Sequence, residues 1–362
     1  MDTISIGLLL PSSTIFPIGK NFEKGLKVGL KSLTAENIQV ELMREFIGGG
    51  DIKLIENACK KFFDFDEVDL VTGIISNRAV VSVAERFKAK NMPLLVNNPG
   101  GHIPVTGQLN EFIFLNSMHL WRHAWTLGNW GVKKFGKKGM FIGAVYDAGY
   151  SFSQMFYDGM YAADLQADWS FSVPPMPPNG GLSDMSVIFP FLEQYQPDFI
   201  MAAFCGAETT LFLNEFIARG WHLKTSVLGL PYLLAPFEPL NNDITIYTTL
   251  PFEDFPDISP ADVFYRLGLQ TGNNIADAVK TTIDRADLQN EFAKQNRMFN
   301  TALTTQHLAP PVTIIENTIK AGAAMFTSES LTRSLSISLD PEYLDQLTQG
   351  ILSGWFNPYL CI

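Results

Sequence analysis

Val71 to Phe87 reads VTGIISNRAVVSVAERF. Val71–Ile75 is an apolar run but for Thr72, stops at Ser76-Asn77-Arg78, and gives way to apolar residues at helical spacing. This order predicts a buried strand, a tight polar turn and an amphipathic helix, with the Arg78 guanidinium at the helix entrance.

The same grammar recurs on both sides. Ile4–Leu10 is an apolar run ended by Pro11-Ser12-Ser13, and Asn21–Leu33 follows with Phe22, Leu26, Val28, Leu30 and Leu33 near helical spacing. Val40–Arg44 reads as a strand, Gly48-Gly49-Gly50-Asp51 as a turn, Ile52–Phe63 as a helix and Pro93–Val96 as another strand. Later, Met140–Val145 leads through Tyr146–Tyr150 to a helix ending near Ala163. Phe199–Ala203 leads through Phe204–Glu208 to a helix ending near Gly220, and Ser226–Leu230 is a short strand. Strands alternating with helices imply parallel sheets covered on both faces. Val173–Leu182 (VPPMPPNGGL) is too rich in Pro and Gly for regular structure and reads as a surface loop. Breaks in the pattern fall around Asn116–Trp121 and Thr248–Phe252.

At 362 residues the chain exceeds what one core usually supports, so two domains are expected. Forty-six per cent of residues are apolar and 17% charged, and no apolar run approaches the roughly 18 residues of a spanning helix, so the chain is not expected to cross a membrane. The net charge is −11 and no Lys/Arg block stands out, which argues against nucleic acid and anionic lipid as partners. Small molecules and proteins remain. Cys59, Cys205 and Cys361 lack the paired spacing of a disulfide framework or a zinc site. Met1 almost directly precedes the strand ISIGLLL, leaving two readings: an export leader already removed, or a chain that stays in the cytoplasm.

Enzyme signatures are weak. Gly48-Gly49-Gly50 is followed by no Gly-Lys-Ser/Thr, and Gly149-Tyr150-Ser151-Phe152-Ser153 lacks the second glycine of a nucleophile elbow, so Ser151 reads as a helix cap. His119 and His123 stand four apart, as a metal pair would, but no third ligand is evident and Trp121 and Trp125 interleave them, which favours a structural role. No catalytic residue, metal ligand or cofactor is predicted. Ligands in open parallel sheets collect at the carboxyl ends of the strands, so the candidate loops are Pro11–Ile18, Ser76–Ala79, Asn97–Gly101, Asp147–Phe152, Phe204–Glu208 and Leu230–Tyr232.

Three stretches together carry a resemblance: IGLLLPSSTIFPIGKNFEKGLKVGL, TGIISNRAVVSVAERFKAKNMPLLVNNPG, and DAGYSFSQMFYDGM followed by QPDFIMAAFCGAETTLFLNEFIARG. Over residues 3 to 280 the chain resembles the type I periplasmic binding proteins, in the leucine/isoleucine/valine-binding branch that serves ABC transporters. The resemblance implies an α/β fold of two Rossmann-like lobes with parallel sheets, joined by a three-crossing hinge and closing on a small ligand. Lobe one maps to 1–119 plus 250–325 and lobe two to 120–249 plus 326–362, the role of the segment after residue 327 being open. The family's carboxylate site falls at Ser76, Asn77, Arg78 and Ala79 and at Asn98, Pro99 and Gly100. Its covering aromatic falls at Tyr150, and a second aromatic position at Cys205 or Gly206, beside Phe204. Phe16, Trp121 and Tyr232 are further candidates for apolar walls.

The family's ammonium-binding acid falls near Pro231, and burying an ammonium without its anion is costly. Glu208 heads a helix and reads first as a charge that complements the helix dipole. The expectation is therefore the substrate-binding component of an ABC-type uptake system, without catalysis, for a small carboxylate or aromatic compound lacking an ammonium. The partners implied are that ligand and the transporter's membrane subunits. Two alternatives keep the fold: a cytoplasmic ligand sensor, and an amino acid binder using Glu208.

Overall fold

The computed structural model describes residues 2–13, 17–103, 109–148, 150–175, 181–234, 238–250, 263–282, 287–294, 311–334 and 337. Phe16, the surface loop's centre at 176–180 and the C-terminal stretch WFNPYLCI with Cys361 lie outside them. The chain forms two compact units, one of Met1–Met118, Asp262–His307 and Asp340–Ile362, the other of His119–Ala261 and Leu308–Leu339.

In the first unit β1 (Thr3–Leu10), α1 (Ile18–Gly29), a short α2 (Lys31–Ala35), β2 (Gln39–Phe46), α3 (Ile52–Asp64), β3 (Leu70–Ile74), α4 (Asn77–Ala89), β4 (Leu94–Asn98) and β5 (Ile113–Ser117) follow in order. The strands make a wholly parallel sheet of order β2-β1-β3-β4-β5. Every residue of β3 and β4 is buried, as a parallel strand covered on both faces must be, which is why apolar residues dominate them without alternation and why Thr72, Asn97 and Asn98, the polar exceptions, are hydrogen-bonded. The Asp51 carboxylate accepts the Leu54 N–H at 3.0 Å and starts α3; Ser76 accepts the Ala79 N–H at 3.2 Å and starts α4. Helix α4 then turns Ala79, Val80, Val83, Ala84 and Phe87 onto the core.

The second unit repeats the plan. It contains α5 (Leu120–Phe135), β6 (Lys138–Gly143), α6 (Val145–Ala148), α7 (Phe152–Ala163), β7 (Asp168–Ser172), α8 (Phe189–Tyr195), β8 (Phe199–Ala203), α9 (Ala207–Ala218), β9 (Ser226–Gly229) and β10 (Ile244–Thr249). Its sheet runs β12-β11-β10-β9-β8-β6-β7, where β11 (Val312–Ile319) and β12 (Thr327–Ser334) add an antiparallel hairpin to a parallel body. This corrects the division expected from the sequence. The sequence places residues up to 325 in the first lobe, whereas β11 pairs with β10 in register Ile244↔Ile319, and Ile319 joins the second unit's core. The expected break around Thr248–Phe252 runs into residues 251–262, outside the described set.

Glycines fix how the helices pack. In the first unit α10 (Val263–Thr281) crosses α1 so closely that a Cβ on Gly25 would stand 1.9 Å from the Tyr265 carbonyl oxygen. In the second, a Cβ on Gly159 of α7 would stand 1.9 Å from the Trp125 carbonyl oxygen of α5.

Candidate functional site

Both sheets reverse strand order at one point, between β1 and β3 in the first unit and between β6 and β8 in the second. Loops leaving the carboxyl ends of such neighbours diverge and open a crevice, so the loops after β3, β6 and β8 are the places to look. Most of the nominated residues lie there or on the adjoining strand ends: Ser76 to Ala79 after β3, Tyr150 after β6, Phe204, Cys205 and Glu208 after β8. Asn98, Pro99 and Gly100 follow β4, and Tyr232 lies in a 3-10 turn after β9.

The first unit's loops are organised by Asn98. Its buried amide donates to Oδ1 of Asn77 at 2.9 Å and to the Ile75 carbonyl at 3.4 Å. Its Oδ1 accepts the Gly100 N–H at 3.0 Å and the Ser117 hydroxyl at 2.9 Å. Asn77 also donates to the His102 carbonyl at 3.4 Å. One amide therefore ties the turns after β3, β4 and β5 into one frame. Beneath it, Asn97 donates to Thr72 at 3.1 Å and to the Gly73 carbonyl at 3.0 Å, while Asn116 bridges Asn97 and Thr271 at 2.9 and 3.0 Å. Burial lowers the pKa of His102 to about 4, so its imidazole is neutral at physiological pH.

Within that frame Arg78 is exposed on the first turn of α4, and Ser76 and Asn77 are half-buried. Pro99 and Gly100 are buried. Ala79 is fully buried in the core, and its N–H is spent on Ser76.

The second unit's loops converge on Asp147, which the sequence reading passed over although it stands in a candidate loop. Asp147 is completely buried; its Oδ1 accepts the Tyr232 hydroxyl at 3.2 Å and the Cys205 thiol, a weak donor, at 3.8 Å. Its Oδ2 has no hydrogen-bond partner among the described residues. Burial pushes its pKa up to about 8, and the charge of Glu208 pushes the same way. The same burial and the same acid hold the Tyr232 phenol and the Cys205 thiol protonated, well above their ordinary ranges. An acidic residue directly after a buried apolar strand at a sheet reversal was the signal available.

Glu208 is 4% exposed, so it is not the solvated first-turn charge the sequence suggested. Its Oε1 accepts the Ser183 N–H at 3.0 Å, and its Oε2 lacks a partner among the described residues. Tyr150, the position of the expected covering aromatic, lies against Phe152 at 5.1 Å between ring centroids, and Phe152 against Tyr232 at 6.4 Å, a buried row of three rings. Tyr232 is then more than the apolar wall it was expected to be, because its hydroxyl serves Asp147. Phe204 departs from its nomination as an apolar wall: it stacks on Phe212 at 4.8 Å, inside the core.

The other chemical candidates resolve simply. Ser151 occupies the cap position of α7 but makes no capping bond, and its buried hydroxyl has no partner among the described residues. His119 precedes α5 in a left-handed conformation (φ 51°), so it does not share a helical face with His123, whose Nδ1 lies 2.8 Å from the Thr249 hydroxyl. Among the described residues no three His, Cys, Asp or Glu side chains form a metal-binding group, and no helix is long and apolar enough to cross a membrane.

A family model described as periplasmic binding protein matches residues 3–296. No curated protein sequence matches this one. Among solved structures, an ABC transporter substrate-binding protein from Sphaerobacter thermophilus is 15% identical at a TM-score of 0.70, over 91% of this chain and 97% of that one. The leucine-binding protein LivK from Thermotoga maritima is 15% identical at 0.63, over 91% and 98%. A solute-binding protein from R. palustris, solved in complex with benzoate, is 16% identical at 0.62, over 93% and 98%. At such identities the likeness carries the fold alone.

Proposed function

The chain belongs to the periplasmic binding protein family, and from that premise we propose that it is the substrate-binding component of an ABC-type uptake system for a small aromatic carboxylate. The observation that carries the ligand class is the row Tyr150, Phe152 and Tyr232, with ring centroids 5.1 and 6.4 Å apart, at the strand ends of the second unit. The three rings are buried and the two tyrosines end in hydroxyls, so the row is an apolar lining with polar tips of the kind that suits an aromatic solute. In the first unit, the exposed Arg78 guanidinium and the first turn of α4 suit a carboxylate, by a bidentate ion pair and by the positive end of the helix dipole. Proteins of the same fold solved with benzoate, 4-hydroxybenzoate and 3,4-dihydroxybenzoic acid lend the reading support. The proposal places the protein in the periplasm, with the transporter's membrane subunits as partners and no turnover of the solute.

A second reading, an amino acid held through its ammonium, is favoured by one observation: Glu208 is buried with one oxygen unpartnered among the described residues. Isothermal titration with benzoate, 4-hydroxybenzoate and leucine separates the two. Binding of an aromatic acid that Arg78→Ala weakens supports the first reading; binding of leucine with neither aromatic acid overturns it.

A further inference from the structure

Among the described residues β7 is the last strand of the second sheet, with β6 on one side and no strand on the other. The Asp168 N–H donates back to the Lys137 carbonyl at 2.9 Å. A parallel ladder engages alternate residues of a strand, so Asp168, Ser170 and Ser172 turn their backbone groups toward β6, while Trp169 and Phe171 turn theirs outward. The side chains of these two are uncovered as well, Trp169 being 38% and Phe171 44% exposed. Both belong to a chain of rings beside α7: Trp169 packs on Tyr157 at 4.9 Å, Tyr157 on Tyr161 (46% exposed) at 6.0 Å, and Phe171 stacks on Phe141 of β6 at 5.4 Å. Sheet edges are ordinarily guarded by Lys, Pro or a bulge, and Trp169-Ser170-Phe171 has none of these. An open edge lined with exposed rings marks an interaction surface.

We propose that β7 pairs antiparallel with β7 of a second copy of this chain, about a two-fold axis between the two Ser170 residues. Within Asp168–Ser172 this register gives every outward N–H and C=O a partner, because Trp169 exchanges both bonds with the partner's Phe171, and Phe171 with the partner's Trp169. The axis keeps both α7 faces on one side of the joined sheet, so the same two residues also meet ring to ring, a favourable cross-strand pair. Charge fits a second copy. The chain carries −11, and self-association needs a face where like charges stay apart. Here each Asp168 faces a Ser172, and the two Asp168 residues stand four positions apart, about 14 Å, beyond the screening length of roughly 8–10 Å. A large aromatic side chain offers about 150–250 Å², so Trp169, Phe171 and Tyr161 together leave roughly 200–300 Å² to bury, against about 800 Å² per partner in a standard interface. The dimer is therefore weak and forms only at high concentration.

Sedimentation velocity on the full chain from about 5 μM to about 1 mM, the range in which an interface of less than standard size associates, should show a monomer–dimer equilibrium. Ser170→Glu and Ser170→Lys each set like charges directly opposite across the axis and should raise the dissociation constant at least about tenfold; mixing the two variants should restore association. Ser170→Cys alters the side chain least. Residues so paired stand about 4.5 Å apart at Cα, within disulfide reach, so mild oxidation should give a covalent dimer that the wild type does not form. Melting temperatures establish that each variant is folded. A wild type that stays monomeric to about 1 mM overturns the inference. A dimer that neither charge weakens, or that the mixture does not restore, overturns it too, and so does a Ser170→Cys variant that forms no cross-link; each of these places the association on another face.

Discussion

Tyr232 donates its phenolic hydrogen to Oδ1 of Asp147 across 3.2 Å, joining the turn after β9 to the turn after β6 inside the second unit. The bond has one donor and an acid whose burial favours the neutral form, so proton and fold are linked. The folded pKa of about 8 lies above the ordinary 3.8, and the native state keeps a proton that the unfolded chain loses.

Stability should therefore fall as pH rises from about 4 to about 8 through this group. Its contribution is fully present below the unfolded value and lost as pH passes the folded one. Asp147→Asn removes the titration. In urea unfolding at a series of pH values, the variant's stability relative to wild type should climb across that window and level off above it. A flat difference would mean that Asp147 titrates normally.

Helix packing gives a second expectation. A Cβ at Gly159 would meet the Trp125 carbonyl oxygen at 1.9 Å, a backbone atom that cannot swing aside. Gly159→Ala must part α5 from α7 and should cost about 1–3 kcal/mol by denaturant unfolding, even though alanine is the better helix former. Gly25→Ala should do the same to α1 and α10, for the same reason.

The fold was legible because its strands are buried on both faces: largely apolar runs such as Val71–Ile75 and Phe199–Ala203 admit few other readings. Strands that alternate or lie at an edge were less legible. Asp168–Ser172 is largely exposed, and Thr327–Ser334 is polar but for Leu331, so neither shows an apolar run; their identity comes from pairing with other strands. In the candidate site, loop positions could be read from strand ends, but side-chain duties could not. Phe204 and Tyr232 look alike as aromatic loop residues, and what parts them is the core facing one and the carboxylate facing the other. Asp147 was hidden because its meaning depends on burial, which a single charged residue in a loop does not announce.

Asn98 should be the least replaceable side chain of the first unit's loops. Asn98→Ala deletes its bonds to Asn77, Ile75, Gly100 and Ser117 together, and leaves buried polar groups behind. A loss of about 2–3 kcal/mol is expected from urea unfolding, with ligand affinity falling in parallel. Asn98→Asp keeps the acceptor for Gly100 and Ser117 but turns a buried carboxylate oxygen toward the Asn77 and Ile75 oxygens, and should lose at least as much.

Arg78 supplies the contrasting case. It is exposed on the first turn of a helix that Ser76 already caps. Arg78→Ala should change unfolding free energy by no more than about 0.5 kcal/mol. If the guanidinium receives the ligand carboxylate, the same substitution removes a charge-assisted bidentate contact, and affinity should drop about 10- to 100-fold by calorimetry. Arg78→Lys keeps the charge without the planar fork and should recover only part of it. Wild-type binding should also weaken with added salt, as an exposed ion pair does, and the alanine variant should lose most of that dependence. Unchanged affinity and an unchanged salt slope in the variant would move the carboxylate away from Arg78, leaving the guanidinium a surface charge.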